Sequence, residues 1–149
     1  MNKGKIVTLG LILMLGISAE AADCLKDKEA IKEIIQYSLI DGYLNEYDIP
    51  KIEKGIHPEF FIMEKQDGKL KKRTYSDMMA YVKKVKPQRP MGRRVKVTIK
   101  ILSVDVVGEI GCAKVEFYVG PTLHGTDYLS LMKFDNQWKL MASIAQENE

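Results

Sequence analysis

The chain has 149 residues, 46% of them hydrophobic and 29% charged, with a net charge of +3. This suits one domain able to bury a core, with no repeat or second domain in view. Two cysteines and two histidines, in no Cys-x-x-Cys or His-x-x-x-His spacing, argue against a structural metal site, and no phosphate loop, nucleophile elbow or dinucleotide fingerprint implies a cofactor.

The N-terminus carries Lys3 and Lys5, then an apolar run from Ile6 to Ile17, then the small-x-small site Ala19-Glu20-Ala21. These are the three parts of a cleavable secretion signal, and the run falls short of the roughly 20 apolar residues that cross a bilayer. Residues 1–22 are therefore predicted to be removed, leaving a secreted or periplasmic domain over 23–149 with no stable membrane insertion. Asp23 and Ala21 do not suit a lipoprotein site at Cys24. Outside the cytoplasm disulfides persist, so Cys24 and Cys112 are candidates for a bridge that the loop-entropy model values at about 4 kcal/mol. Two unrelated thiols are the alternative.

From Lys28 to Tyr47, residues Ile31, Ile34, Ile35, Ser38, Leu39, Gly42 and Tyr43 fall on one face of a long helix, with Asp27 as its N-cap. Asp48-Ile49-Pro50 opens a short second helix that Gly55 stops. His57 to Met63 leads into a strand, and Asp67-Gly68 marks a tight hairpin turn. Thr74 and Asp77 form a capping box for a third helix, whose stripe is Tyr75, Met78, Met79, Val82 and Val85. Pro87, Pro90 and Gly92 end it.

The remainder reads as strands. Val95, Val97, Ile99 and Ile101 alternate, then the phase slips to Leu102, Val104 and Val106, which requires a bend or bulge near residues 101–102. Gly108 to Gly111 turns the chain, Ala113 to Val119 alternates again, and a Gly120-to-Gly125 loop follows. Strands over 126–134 and 137–145 then pair across Asp135-Asn136. The pattern predicts an α+β domain in which three N-terminal helices pack on a strongly bent antiparallel sheet.

Charge is unevenly spread. Residues 65–100 hold thirteen lysines and arginines against Asp67 and Asp77, and both flanks are acidic. The hairpin and the loop after the third helix should form a basic edge, facing solvent, an anionic ligand, an acidic envelope surface or a second copy. Nucleic acid is disfavoured, because export removes the chain from it and no aromatic platform interleaves the charges.

Asp41-Gly42-Tyr43-Leu44, Ile56-His57-Pro58-Glu59-Phe60, Ala113-Lys114-Val115-Glu116, Thr126-Asp127-Tyr128-Leu129-Ser130-Leu131 and Trp138-Lys139-Leu140 together resemble the nuclear transport factor 2-like superfamily. They come nearest its putative lumazine-binding branch, over residues 25–147. The resemblance implies a cone-shaped, cystatin-like α+β fold, a mostly apolar pocket at the open end, a small heterocyclic ligand and a homodimer. These strings are framework and contain no catalytic signature.

A bent sheet wrapped by helices leaves a hollow, with Tyr37, Tyr43, Phe60, Met63, Met79, Phe117, Tyr128 and Trp138 as candidate wall residues or plain core. Ketosteroid isomerase-like relatives carry an acid or base on that wall. Here Asp105, Glu109 and Glu116 fall out of phase or in turns, and Glu59, Glu64 and Asp127 cannot be assigned outward. His57 and Asp127, with His124 at the same rim, are the candidate acid–base groups. The leading reading is a non-catalytic exported domain that binds a small, partly apolar molecule and self-associates. A lyase, isomerase or cyclase of the ketosteroid isomerase or scytalone dehydratase type, and an accessory subunit of an envelope complex, are the alternatives.

Overall fold

The computed structural model describes residues 19–148. The lysines and apolar run of the expected signal lie outside the described residues, and Ala19–Ala22 form the first turn of helix α1 (Ala19–Ile34). The helix thus begins well before Lys28, and Asp27 lies inside it rather than capping it. The carboxylate of Asp27 turns to the sheet instead, accepting hydrogen bonds from Trp138 Nε1 at 3.0 Å and Lys133 Nζ at 2.7 Å. A charged partner and an indole N–H across the core outweigh a local capping preference.

Helix α1 runs on as a π-helical stretch, Ile35–Glu46, ended by Tyr47 in the left-handed conformation (φ 57°), whose N–H reaches the Gly42 carbonyl. Asp48 then caps α2 (Ile49–Gly55) by accepting from the Lys51 N–H at 3.0 Å. A Cβ on Gly55 would overlap Ser38 Oγ and Ile34 Cγ1, so a side chain there would force α2 away from the long helix.

Strands β1 (Ile56–Gln66) and β2 (Lys69–Thr74) are joined through Asp67 and Gly68, both at positive φ as a type I′ turn requires. The expected capping box then starts α3 (Tyr75–Val85), which buries Met78, Met79 and Val82. Strands β3 (Val97–Val107), β4 (Ile110–Val119), β5 (Thr122–Phe134) and β6 (Gln137–Glu147) complete the chain. The strand order is β2-β1-β6-β5-β4-β3.

The sheet is open and curved, and it is not wholly antiparallel. Strand β1 pairs with β6 in parallel. The hairpin β2 occupies one side of β1, so β6, folding back from β5, closes against the other side in the direction β1 already runs. Three single-residue bulges bend the sheet, at Leu102, His124 and Met141. The first is where the phase slip required one. The second shows that the expected Gly120-to-Gly125 loop is mostly strand. The third keeps Leu140 and Ser143, three apart, on one buried face. Helix α1 covers that concave face: a Cβ on Gly111 of β4 would stand 2.5 Å from Ile31 Cδ1.

This topology explains the cysteines. Gly111 and Ala113 face the helices, so Cys112 between them points to the opposite, exposed face, while Cys24 sits on α1. Both are free thiols, because the sheet lies between them.

Candidate functional site

The concave face is not completely filled. Between the π-helical stretch and the sheet lies a hollow of about 210 Å³, with Leu39, Phe60, Ile62, Val97, Phe117 and Ala145 supplying apolar wall. Polar groups converge on it from five segments. Glu64 comes from β1, Arg73 from β2, Arg93 from the loop before β3, His124 and Asp127 from β5, and Ser143 and Glu147 from β6. Arg73 Nη2 lies 3.5 Å from Glu64 Oε2, and His124 Nε2 lies 3.9 Å from Glu147 Oε1. The His124 bulge sets this side chain on the rim.

Asp127 sits partly buried in this arrangement. On β5 the residues Gly125, Asp127, Leu129 and Leu131 share the inward phase. The fully buried Ser143 donates its hydroxyl to Asp127 Oδ2 at 2.6 Å. Burial pushes the Asp127 carboxyl up to about 6, against the Ser143 hydrogen bond that favours the ionised form; Glu147 and Glu64 push it further and Arg73 pulls it back. Such a carboxyl exists in both protonation states near neutral pH, so it can accept or deliver a hydrogen bond or a proton. Tyr43, also on the wall, is pushed above its ordinary value by burial, with the Arg73 guanidinium opposing.

The model of the family described as "Putative lumazine-binding" matches residues 26–144. The chain belongs to this family. Solved structures agree on the fold. A nuclear transport factor 2-like protein of unknown function from Silicibacter pomeroyi is 14% identical, with 83% of this chain and 98% of that one covered at a TM-score of 0.68. Another from Shewanella baltica is 15% identical, over 84% and 96%, at 0.65. A cystatin-like domain from Nostoc punctiforme is 10% identical, over 83% and 78%, at 0.57. No curated protein matches the chain.

Within this family fold, Tyr43, Phe60 and Phe117 of the candidate wall residues line the hollow. Met79 and Trp138 are buried elsewhere in the core. Tyr37 is an exposed helix residue under the ammonium groups of Lys51 and Lys54, and Met63 and Tyr128 line a groove on the outer sheet face. The histidines do not share a rim. His57 stacks on Phe134, with ring centroids 5.0 Å apart, and its Nδ1 accepts from the Glu59 N–H. His124 alone reaches the hollow. Asp105 and Glu109 are exposed, and Glu116 on the outward phase accepts from the Tyr118 hydroxyl.

An inner-wall acid is therefore present, on the same face of β5 as Leu129 and Leu131. Its signal was legible, since Asp127 is two residues from Leu129 and four from Leu131. Arg73, Arg93, Ser143 and Glu147 gave no comparable signal, because their meeting depends on sheet curvature and on the Met141 bulge.

Proposed function

We propose that this domain binds a small, partly apolar molecule in the hollow, with Asp127 and Ser143 meeting its polar edge. The carrying observation is the Asp127–Ser143 pair, which faces apolar side chains on one part of the hollow while Glu64, Arg73, Arg93, His124 and Glu147 line the rest. At about 210 Å³ the hollow is below the usual 300–1,000 Å³ of drug-sized sites, which suits a one- or two-ring compound. The family description, which names lumazine, suits a flat heterocycle bearing hydrogen-bond donors. Export through the N-terminal signal and self-association through the outer sheet face belong to the same reading. Native mass spectrometry of protein recovered from the exported fraction tests these together, reporting mature N-terminus, oligomer and retained ligand. For the ligand, titration with lumazine and related pteridines should raise the melting temperature of the wild-type protein and have a much smaller effect on Asp127→Asn. Equal shifts in both would remove Asp127 from the site.

A second reading is favoured by one observation, the raised carboxyl of Asp127 beside a buried hydroxyl. A group of this kind can abstract a proton next to a carbonyl, as isomerases and cyclases require. Deuterium uptake from solvent into a small cyclic enone, catalysed by wild type and lost in Asp127→Asn, would support it. Uptake no faster than in buffer would end it.

A further inference from the structure

No Asp or Glu occurs between Asp77 and Asp105, whereas eight lysines and arginines do. None of the ion pairs among the described residues uses any of the eight. The centre of this segment, between α3 and β3, is a loop whose apex is apolar. Met91 is 91% exposed and Val95 54% exposed, with Arg89, Arg94 and Lys96 exposed around them.

This loop is held in place. Gly92 is buried with φ +79°, and a Cβ there would overlap the Asn45 carbonyl oxygen. The same oxygen accepts from the Arg93 N–H at 2.6 Å, and Gly92 N–H donates to the Arg89 carbonyl at 2.9 Å. The Asn45 side chain makes two further bonds to the Val97 backbone, at 2.8 and 2.9 Å. On the other side of Met91, Lys86 Nζ donates to the Glu46 carbonyl at 2.8 Å, so the loop is tied to the helix end before and after Met91 while Met91 is held out. Holding a large apolar side chain in water inside a ring of cations that form no ion pair has no benefit to the fold.

From this geometry we infer that the loop over residues 86–96 docks the domain on an anionic lipid bilayer, Met91 entering the interfacial layer and the surrounding arginines and lysines meeting headgroup phosphates. A bilayer interface takes an apolar centre and a cationic rim at once. Nucleic acid would find no aromatic side chain between Gln88 and Val95 on which to stack bases, and an acidic protein face would leave Met91 without use. Arg93 and Val119 line both the groove under this loop and the hollow, so docking would set that side of the hollow toward the membrane.

The test is sedimentation of the protein with phosphatidylcholine vesicles and with vesicles that also contain phosphatidylglycerol. It is read as the ratio of the two affinities, so that any leader retained in all variants cancels. Wild type should prefer the phosphatidylglycerol vesicles, and added salt should erode that preference. Met91→Asp and Arg94→Glu should each lower affinity for them about tenfold or more, while Lys26→Glu, the same charge change on α1, should lower it less than threefold. No preference in wild type, unchanged binding by Met91→Asp and Arg94→Glu, or an equal loss in Lys26→Glu would each overturn the inference. So would retention by a duplex oligonucleotide with none by vesicles, or a vesicle-independent dimer that Arg94→Glu dissociates.

Discussion

Asp127 costs the fold stability at neutral pH. Its carboxyl is raised to about 6 in the folded chain, against about 3.9 when unfolded, so between these values the folded state holds more protons than the unfolded state. Stability from this group is fully present below pH about 4 and is lost as the pH rises through about 6. Asp127→Asn keeps the shape and removes the charge. It should therefore be more stable than wild type by about 2–3 kcal/mol at pH about 7.5, and no more stable at pH about 4. Urea midpoints of the two proteins across that range measure it, and parallel curves would show that Asp127 is not buried as described. The inward phase of Asp127 is set by alternation with Leu129 and Leu131 and can be read from sequence. Its depth is not, because that depends on Ser143 arriving from β6, and Ser143 faces inward only because Met141 is bulged out of register.

Element packing rests on a few contacts between residues distant in sequence. Helix α2 lies against the long helix through Gly55, where an added Cβ would overlap Ser38 Oγ and Ile34 Cγ1. Gly55→Ala should cost about 1–3 kcal/mol by overpacking, and Ile34→Ala in the same chain should cost less than it does alone, a coupling that a double-mutant cycle measures. Additive losses would mean that the two residues do not touch. Helix α1 is tied to β5 and β6 by the Asp27 carboxylate, which the Lys133 hydrogen bond holds below the usual carboxylate range. Asp27→Ala leaves the Trp138 indole N–H without its partner, at a cost of about 1–3 kcal/mol. Trp138 is the chain's one tryptophan, so its fluorescence should change with that substitution and reports the site directly. Helix existence, the hairpin turns at Asp67-Gly68 and Asp135-Asn136, the capping box and the Leu102 bulge were legible, because each depends on residues within one turn or one strand. The start of α1, the role of Asp27 and the parallel β1–β6 pairing were not, because each depends on which distant element closes against which.

Across the whole molecule, a net charge of +3 conceals a division of labour between faces. Arg73 at one sheet edge and Arg93 beside the other approach the same hollow because the sheet curls, a convergence no linear charge count contains. The outer face is different in kind. Met63, Ile144 and Tyr128 lie side by side on β1, β6 and β5, with Lys114 next on β4, and Tyr128 and Ile144 are each 52% exposed. Glu116 on the same face supplies the opposite charge to Lys114. A two-fold interface sets a patch against itself, so a face that carries an apolar row with charges of both signs can complement its own copy, whereas the basic loop would repel its own. Self-association through this face is therefore expected, and Tyr128→Lys with Ile144→Lys should shift the protein to monomer in sedimentation velocity. Both side chains are largely in solvent in the single chain, so the unfolding free energy per monomer should change by less than about 1 kcal/mol. A wild-type chain that stays monomeric at every concentration would refute the interface, and a double variant that dissociates only because it unfolds would show that these residues support the core instead.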